Sequence, residues 1–116
     1  MFKILVIDDN AIVRETLQTV FSEKHECHIA DSAIEAIQLL AFENYDLVIT
    51  DVGLPGFNGL EILGYIQRQY AIPVIVISGH PDLYEAAAVR SGALAFFAKP
   101  FRLEELESAV AEALGV

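Results

Sequence analysis

The sequence predicts an α/β domain: a parallel sheet with helices packed on both faces. Three observations predict it. Short β-branched runs alternate with amphipathic runs along the whole chain, five of each. Three of the apolar runs, Lys3–Ile7, Asp46–Thr50 and Pro73–Ile77, lack the inside/outside alternation of a half-exposed strand, as strands covered on both faces must. Hydrophobic residues make up 54% of the 116 residues, enough for a core without disulfides or a structural metal.

Taken in order, the first strand KILVI (Lys3–Ile7) stops at Asp8 and Asp9. Residues 11–22 then read as a helix with Val13, Leu17, Val20 and Phe21 on one face, and Asn10 is its expected N-cap. Glu26–Ala30 is the second strand. Ser32 and Glu35 have the spacing of a capping box, opening a helix with Ala36, Ile37 and Leu40 inward. The third strand, Asp46–Thr50, stops at Asp51. A loop rich in Gly and Pro, Gly53–Asn58, leads to a third helix that Asn58 is expected to cap and that buries Leu63 and Ile66. The fourth strand, Pro73–Ile77, ends at Ser78. Asp82–Ser91 is an alanine-rich helix, with Gly92 suited to the left-handed position after it. Ala93–Ala98 is the fifth strand, ending at Lys99. Leu103–Leu114 closes the pattern, with Leu106, Val110 and Ala113 inward.

Length fits one domain over residues 1–116. The net charge of −10, from 17 acidic and 7 basic residues, argues against phosphate-backbone contacts with nucleic acid and against docking on an anionic membrane. No apolar run has the length of a membrane span, and the N-terminus lacks the pattern of a signal peptide, so a cytoplasmic protein is expected. The one cysteine, Cys27, excludes an internal disulfide; its apolar surroundings make it a small buried hydrophobe.

Polar residues stand where the strands stop: Asp8 and Asp9, Asp51, Ser78 and Lys99. In a parallel sheet these positions share one edge, where open α/β sheets bind ligands. Three crowded carboxylates repel one another and call for a hard cation. Mg²⁺ suits them, since it takes one or two carboxylates, keeps waters and binds phosphate oxygens. Lys99 supplies a point charge and Ser78 a hydroxyl for an oxyanion. A carboxylate can attack a phosphoryl group to give an aspartyl phosphate.

Four segments, "ILVIDDN", "DLVITDVGLPGFNGLE", "PVIVISGH" and "GALAFFAKPF", occur in this order on the expected elements. With them the chain resembles the receiver domain of bacterial two-component response regulators, the chemotaxis-regulator-like family, over essentially its whole length. The resemblance implies a flavodoxin-like, doubly wound (βα)5 sandwich with strand order 2-1-3-4-5. It implies Asp51 as phosphoacceptor, Asp9 as a direct Mg²⁺ ligand, Asp8 as an acidic partner acting through water, and the Gly53 carbonyl as a further ligand. It also implies Ser78 as the switch hydroxyl, Lys99 as the phosphate-binding lysine, a cis Lys99–Pro100 bond and Phe96 at the aromatic switch position. The implied partners are a sensor histidine kinase or phosphotransfer protein, an output domain or effector, and a second copy after phosphorylation.

The chain departs from the family in a shortened stretch between Ser78 and Lys99, and in Gly53, which stands where side chains commonly affect dephosphorylation. His80 is read as a solvent-facing loop residue, and Leu94 and Phe97 are left open between core and output surface. Two other functions are compatible with parts of the pattern. A haloacid-dehalogenase-type phosphatase shares the Asp, Ser/Thr, Lys and Mg²⁺ chemistry, but its nucleophile sits in a DxD motif after the first strand, where this chain has adjacent aspartates. A binding module without phosphorylation does not require the complete acidic set.

Overall fold

The computed structural model describes residues 1–54 and 60–116. The elements are β1 (Lys3–Ile7), α1 (Ala11–Phe21), β2 (Glu26–Ala30), α2 (Ala33–Phe42), β3 (Leu47–Asp51), α3 (Glu61–Tyr70), β4 (Val74–Ser78), α4 (Pro81–Arg90), β5 (Ala95–Ala98) and α5 (Leu103–Leu114). The strands form one sheet in the order β2-β1-β3-β4-β5, and every pairing is parallel. This is the flavodoxin-like doubly wound order, in which the chain reverses its direction across the sheet between β1 and β3.

Alternate residues of the central strands feed two separate core layers. Leu5, Ile7, Val48, Val74 and Val76 pack against Ala36 and Leu40 of α2, Ile62, Leu63 and Ile66 of α3, and Ala88 of α4. Ile4, Val6, Leu47, Ile49, Ile75 and Ile77 pack against Leu17 and Phe21 of α1 and Leu106 and Val110 of α5. Cys27 lies in the second layer, and burial pushes its thiol up to about 12, so it stays a protonated core residue.

The helix ends follow local chemistry. Asn10 Oδ1 accepts from the Ile12 and Val13 N–H groups at 2.9 and 3.2 Å. The Glu35 N–H donates to Ser32 Oγ, while Glu35 Oε1 accepts from the Asp31 N–H, one residue earlier than a capping box requires. After α4, Gly92 takes φ +98. Its N–H donates to Val89 O and the Ala93 N–H donates to Ala88 O, the paired bonds of a Schellman ending.

That ending corrects the fifth strand, which starts at Ala95 rather than Ala93: the Ala93 N–H is already engaged in closing α4. The third and fourth strands each sit one residue later than expected, because Asp51 and Ser78 still pair in the sheet. Helix α4 runs Pro81–Arg90 instead of Asp82–Ser91; Pro81 is tolerated in a first helical turn, where its missing N–H costs nothing. The expected cap at Asn58 lies outside the described residues; α3 begins at Glu61.

Candidate functional site

Asp8 follows β1 and Asp51 ends β3, so the two adjacent strands at the reversal deliver their carboxylates to the same edge. Asp8 is fully buried and Asp51 nearly so, whereas Asp9 is exposed at the rim. Each of the three carboxylates offers an oxygen within 4.8 Å of the others. Lys99, immediately after β5, reaches across the edge: its Nζ lies 2.8 Å from Asp8 Oδ2 and 2.9 Å from Asp51 Oδ2. One ammonium thus holds together two carboxylates that are 43 residues apart in the chain (51 less 8).

Backbone groups orient the same carboxylates. The Asn10 N–H donates to Asp8 Oδ1 at 2.8 Å, and the Gly53 N–H donates to Asp51 Oδ1 at 2.8 Å. A Cβ on Gly53 would stand 3.4 Å from Asp51 Oδ1, so a side chain there would cover that oxygen. Ser78 is buried; its Oγ accepts the His80 N–H at 3.0 Å, linking the hydroxyl to the residue that opens α4. The Lys99 N–H donates to Ser78 O at 2.7 Å, which ties the two strand ends together. The Lys99–Pro100 peptide is cis. His80 itself is exposed.

Electrostatics follow from burial and charge. Burial raises the Asp8 carboxyl above its ordinary range; the Lys99 ammonium and the Asn10 N–H offset part of that effect, and the neighbouring Asp51 charge adds to it. For Lys99, burial alone would lower the ammonium, but hydrogen bonds to Asp8 and Asp51 outweigh it and raise the group above its ordinary value. Three carboxylates and one ammonium leave the site net negative. A hard divalent cation fits this donor set: the ligands are carboxylate oxygens, and the exposed position of Asp9 leaves room for coordinated water.

Phe96 is half-buried against the α2–α3–α4 layer, and Phe97 packs against the α1–α5 layer. Leu94 is 54% exposed. Arg14 was not singled out in the sequence, yet its Nη1 donates to the Asp8 carbonyl at 2.8 Å. A lone arginine on a helix carries no signal of that contact. A hollow of about 430 Å³ between the end of α1 and α5 contains none of the site residues.

A family model for the response regulator receiver domain matches residues 4–111. The chain belongs to this family. Among curated relatives, the receiver is 38% identical to the response regulator protein FleR of Pseudomonas aeruginosa over 97% of its own length and 25% of FleR's. It is 33% identical to sporulation initiation phosphotransferase F of Bacillus subtilis, over 93% of the receiver and 90% of that protein. A crystal structure of the response regulator TrrA of Thermotoga maritima, in complex with Mg²⁺-BeF, superposes with a TM-score of 0.86 at 30% identity, covering 97% of the receiver and 99% of TrrA. The receiver therefore spans about a quarter of one relative's length and nearly all of another's. Receiver domains of two-component systems are signalling domains that are phosphorylated on an aspartate. Among the described residues no helix is long and apolar enough to cross a membrane.

Proposed function

We propose that residues 1–116 form one receiver domain whose phosphoacceptor is Asp51. The observation that carries this reading is the Lys99 ammonium set between the Asp8 and Asp51 carboxylates at the sheet's reversal point. An Asp51 carboxylate oxygen attacks the phosphorus of a phosphohistidine on a sensor kinase or phosphotransfer protein. A new P–O bond forms, the P–N bond breaks, and the histidine nitrogen keeps the electron pair. Gly53 N–H and Lys99 Nζ already hold the two Asp51 oxygens, which fixes the carboxylate plane before the donor arrives. Once the phosphoryl group is in place, Lys99 and the Ser78 hydroxyl are the donors for its oxygens.

Asp8, Asp9, Asp51 and the Gly53 carbonyl would hold Mg²⁺. The bound ion supplies positive charge to the carboxylates and to the phosphoryl oxygens, the main requirement of this chemistry. The Mg²⁺-BeF complex of TrrA supports this choice of metal.

The output runs through Ser78. Its Oγ holds the His80 N–H at the start of α4, so a Ser78 turned toward the phosphate loosens that loop, and Phe96 moves further inward. The face formed by α4, β5 and α5 then changes and docks an output domain, an effector or a second copy. Phosphate bonds formed in only one of the two packings bias this equilibrium. The domain acts in the cytoplasm, contacts neither nucleic acid nor membrane, and catalyses only its own phosphotransfer and dephosphorylation.

Acetyl phosphate with Mg²⁺ tests the assignment. Mass spectrometry should find one phosphoryl group on the wild type and none on Asp51→Asn; equal modification of the variant would overturn it.

A further inference from the structure

We infer that Arg14 is a positioning residue for Asp9, the solvent-facing carboxylate of the acidic cluster; this rests on the proposed metal site. The Asp8 N–H makes the last bond from β1 toward β2, to Ala30 O at 3.1 Å, and β2 ends at that residue. The Asp8 carbonyl lies past the end of β2 and receives Arg14 Nη1 instead, at 2.8 Å. This carbonyl belongs to the peptide that joins Asp8 to Asp9. A guanidinium held on it fixes the peptide plane, and with it the direction in which Asp9 leaves the backbone.

The two aspartates differ in what holds them. Asp8 is buried, and its side chain is gripped by the Asn10 N–H and Lys99. Among the described residues the Asp9 carboxylate has no hydrogen bond or ion pair with another side chain, and it is exposed. Its place beside Asp8 and Asp51 therefore depends on the backbone, which is held by two bonds: the Asn10 N–H on Asp8 Oδ1, closing a turn around Asp9, and Arg14 on the Asp8 carbonyl. Arg14 sits in the first turns of α1, whose start is fixed by the Asn10 cap, so the guanidinium is anchored to a rigid element. Its hydrogen bond, rather than its charge, is the operative feature.

The two possible effects of Arg14 on a cation have opposite signs, which makes the test decisive. If Arg14 acted only as a nearby positive charge, removing it would tighten Mg²⁺ binding. If it positions Asp9, removing it weakens binding, by about 10-fold on the scale of outer partners of metal ligands. Mg²⁺ affinity would be measured by titration followed through amide NMR shifts for the wild type, Arg14→Met and Arg14→Gln. The glutamine is polar but two bonds too short to reach the Asp8 carbonyl, so it is a second loss of the clamp, and both variants are checked for folding by amide spectrum and melting curve. The expected result is weaker binding in both variants, and increased fast motion at the Asp9 amide of the metal-free variants by relaxation. Unchanged or tighter binding in Arg14→Met, with a normal wild type, would overturn the positioning role alone. A wild type that binds no Mg²⁺ would overturn the metal reading and this inference with it. Should Arg14→Met not fold, Arg14→Gln decides: about 10-fold weaker Mg²⁺ binding is what the clamp requires, and unchanged or tighter binding there refutes it.

Discussion

Replacing Lys99 by methionine keeps the stem of the side chain and removes the one cation in contact with both Asp8 and Asp51 among the described residues. Each lost charge-assisted hydrogen bond is worth about 1.5–3 kcal/mol, and stripping the partner from a buried charge costs about 3–5 kcal/mol. Proton uptake sets a ceiling. A carboxyl that ionises near pH 4 can be protonated at pH 7 for about 4 kcal/mol, three units at about 1.4 kcal/mol each. The variant also no longer buries an ammonium, which recovers part of the loss. The expected net cost at neutral pH is therefore about 3 kcal/mol. With about 2.1 cal/mol/K of unfolding entropy per residue, a domain of 116 residues loses about 12 °C in Tm.

The pH dependence has a definite sign. Burial already raises the Asp8 carboxyl, and without Lys99 it rises further, so the folded variant takes up a proton at a pH where the unfolded chain remains ionised. The stability deficit is therefore present at neutral pH and shrinks as pH falls through the raised value. Thermal melts of wild type and Lys99→Met, free of divalent ions, at about pH 7 and about pH 5 would measure it. An Asp8→Asn background should reduce the cost of Lys99→Met by at least about 1 kcal/mol, the signature of direct coupling. A Tm within about 2 °C of wild type at neutral pH, or a gap that does not narrow in acid, would refute the account of Lys99 as the ion that stabilises two buried carboxylates.

Further outcomes follow from the same geometry. Because the Asp8 carboxyl is raised above its ordinary value of 3.8, its ionised form costs stability at neutral pH. Asp8→Asn should raise the metal-free Tm there, with the gain disappearing as pH falls below the raised value; a lower Tm at neutral pH contradicts the burial argument. Gly92→Ala places a side chain at φ +98 with its Cβ 2.8 Å from Gln67 Nε2, which itself donates to Gly92 O at 2.7 Å. Backbone strain of about 1–2 kcal/mol, together with a hydrogen bond worth about 1 kcal/mol, should lower Tm by roughly 8 °C, as calorimetry would show; a loss under about 2 °C would refute the strain argument. For the switch, adding beryllofluoride and Mg²⁺ should shift the NMR signals of Phe96 and α4 as well as those of the site loops, and changes confined to Asp8, Asp51 and Ser78 rule out the route through α4.

The apolar runs placed the strands to within one or two residues, because β1, β3 and β4 are covered on both faces and carry no charge in their interiors. Asn10, Ser32 and Gly92 announced helix ends through chemistry that acts over three or four residues, so each was legible locally. The strand order was implied only by the resemblance of the four motifs, since apolar periodicity does not say which strands are neighbours. What the tertiary structure alone decided is the site's wiring: Lys99 on Asp8 and Asp51, Arg14 on the Asp8 carbonyl, and the contrast between a buried Asp8 and an exposed Asp9 in adjacent positions. Those features depend on the meeting of segments up to 91 residues apart and on how much water each group keeps once they meet. A sequence names the charges, but their desolvation and their partners exist only after the chain has folded.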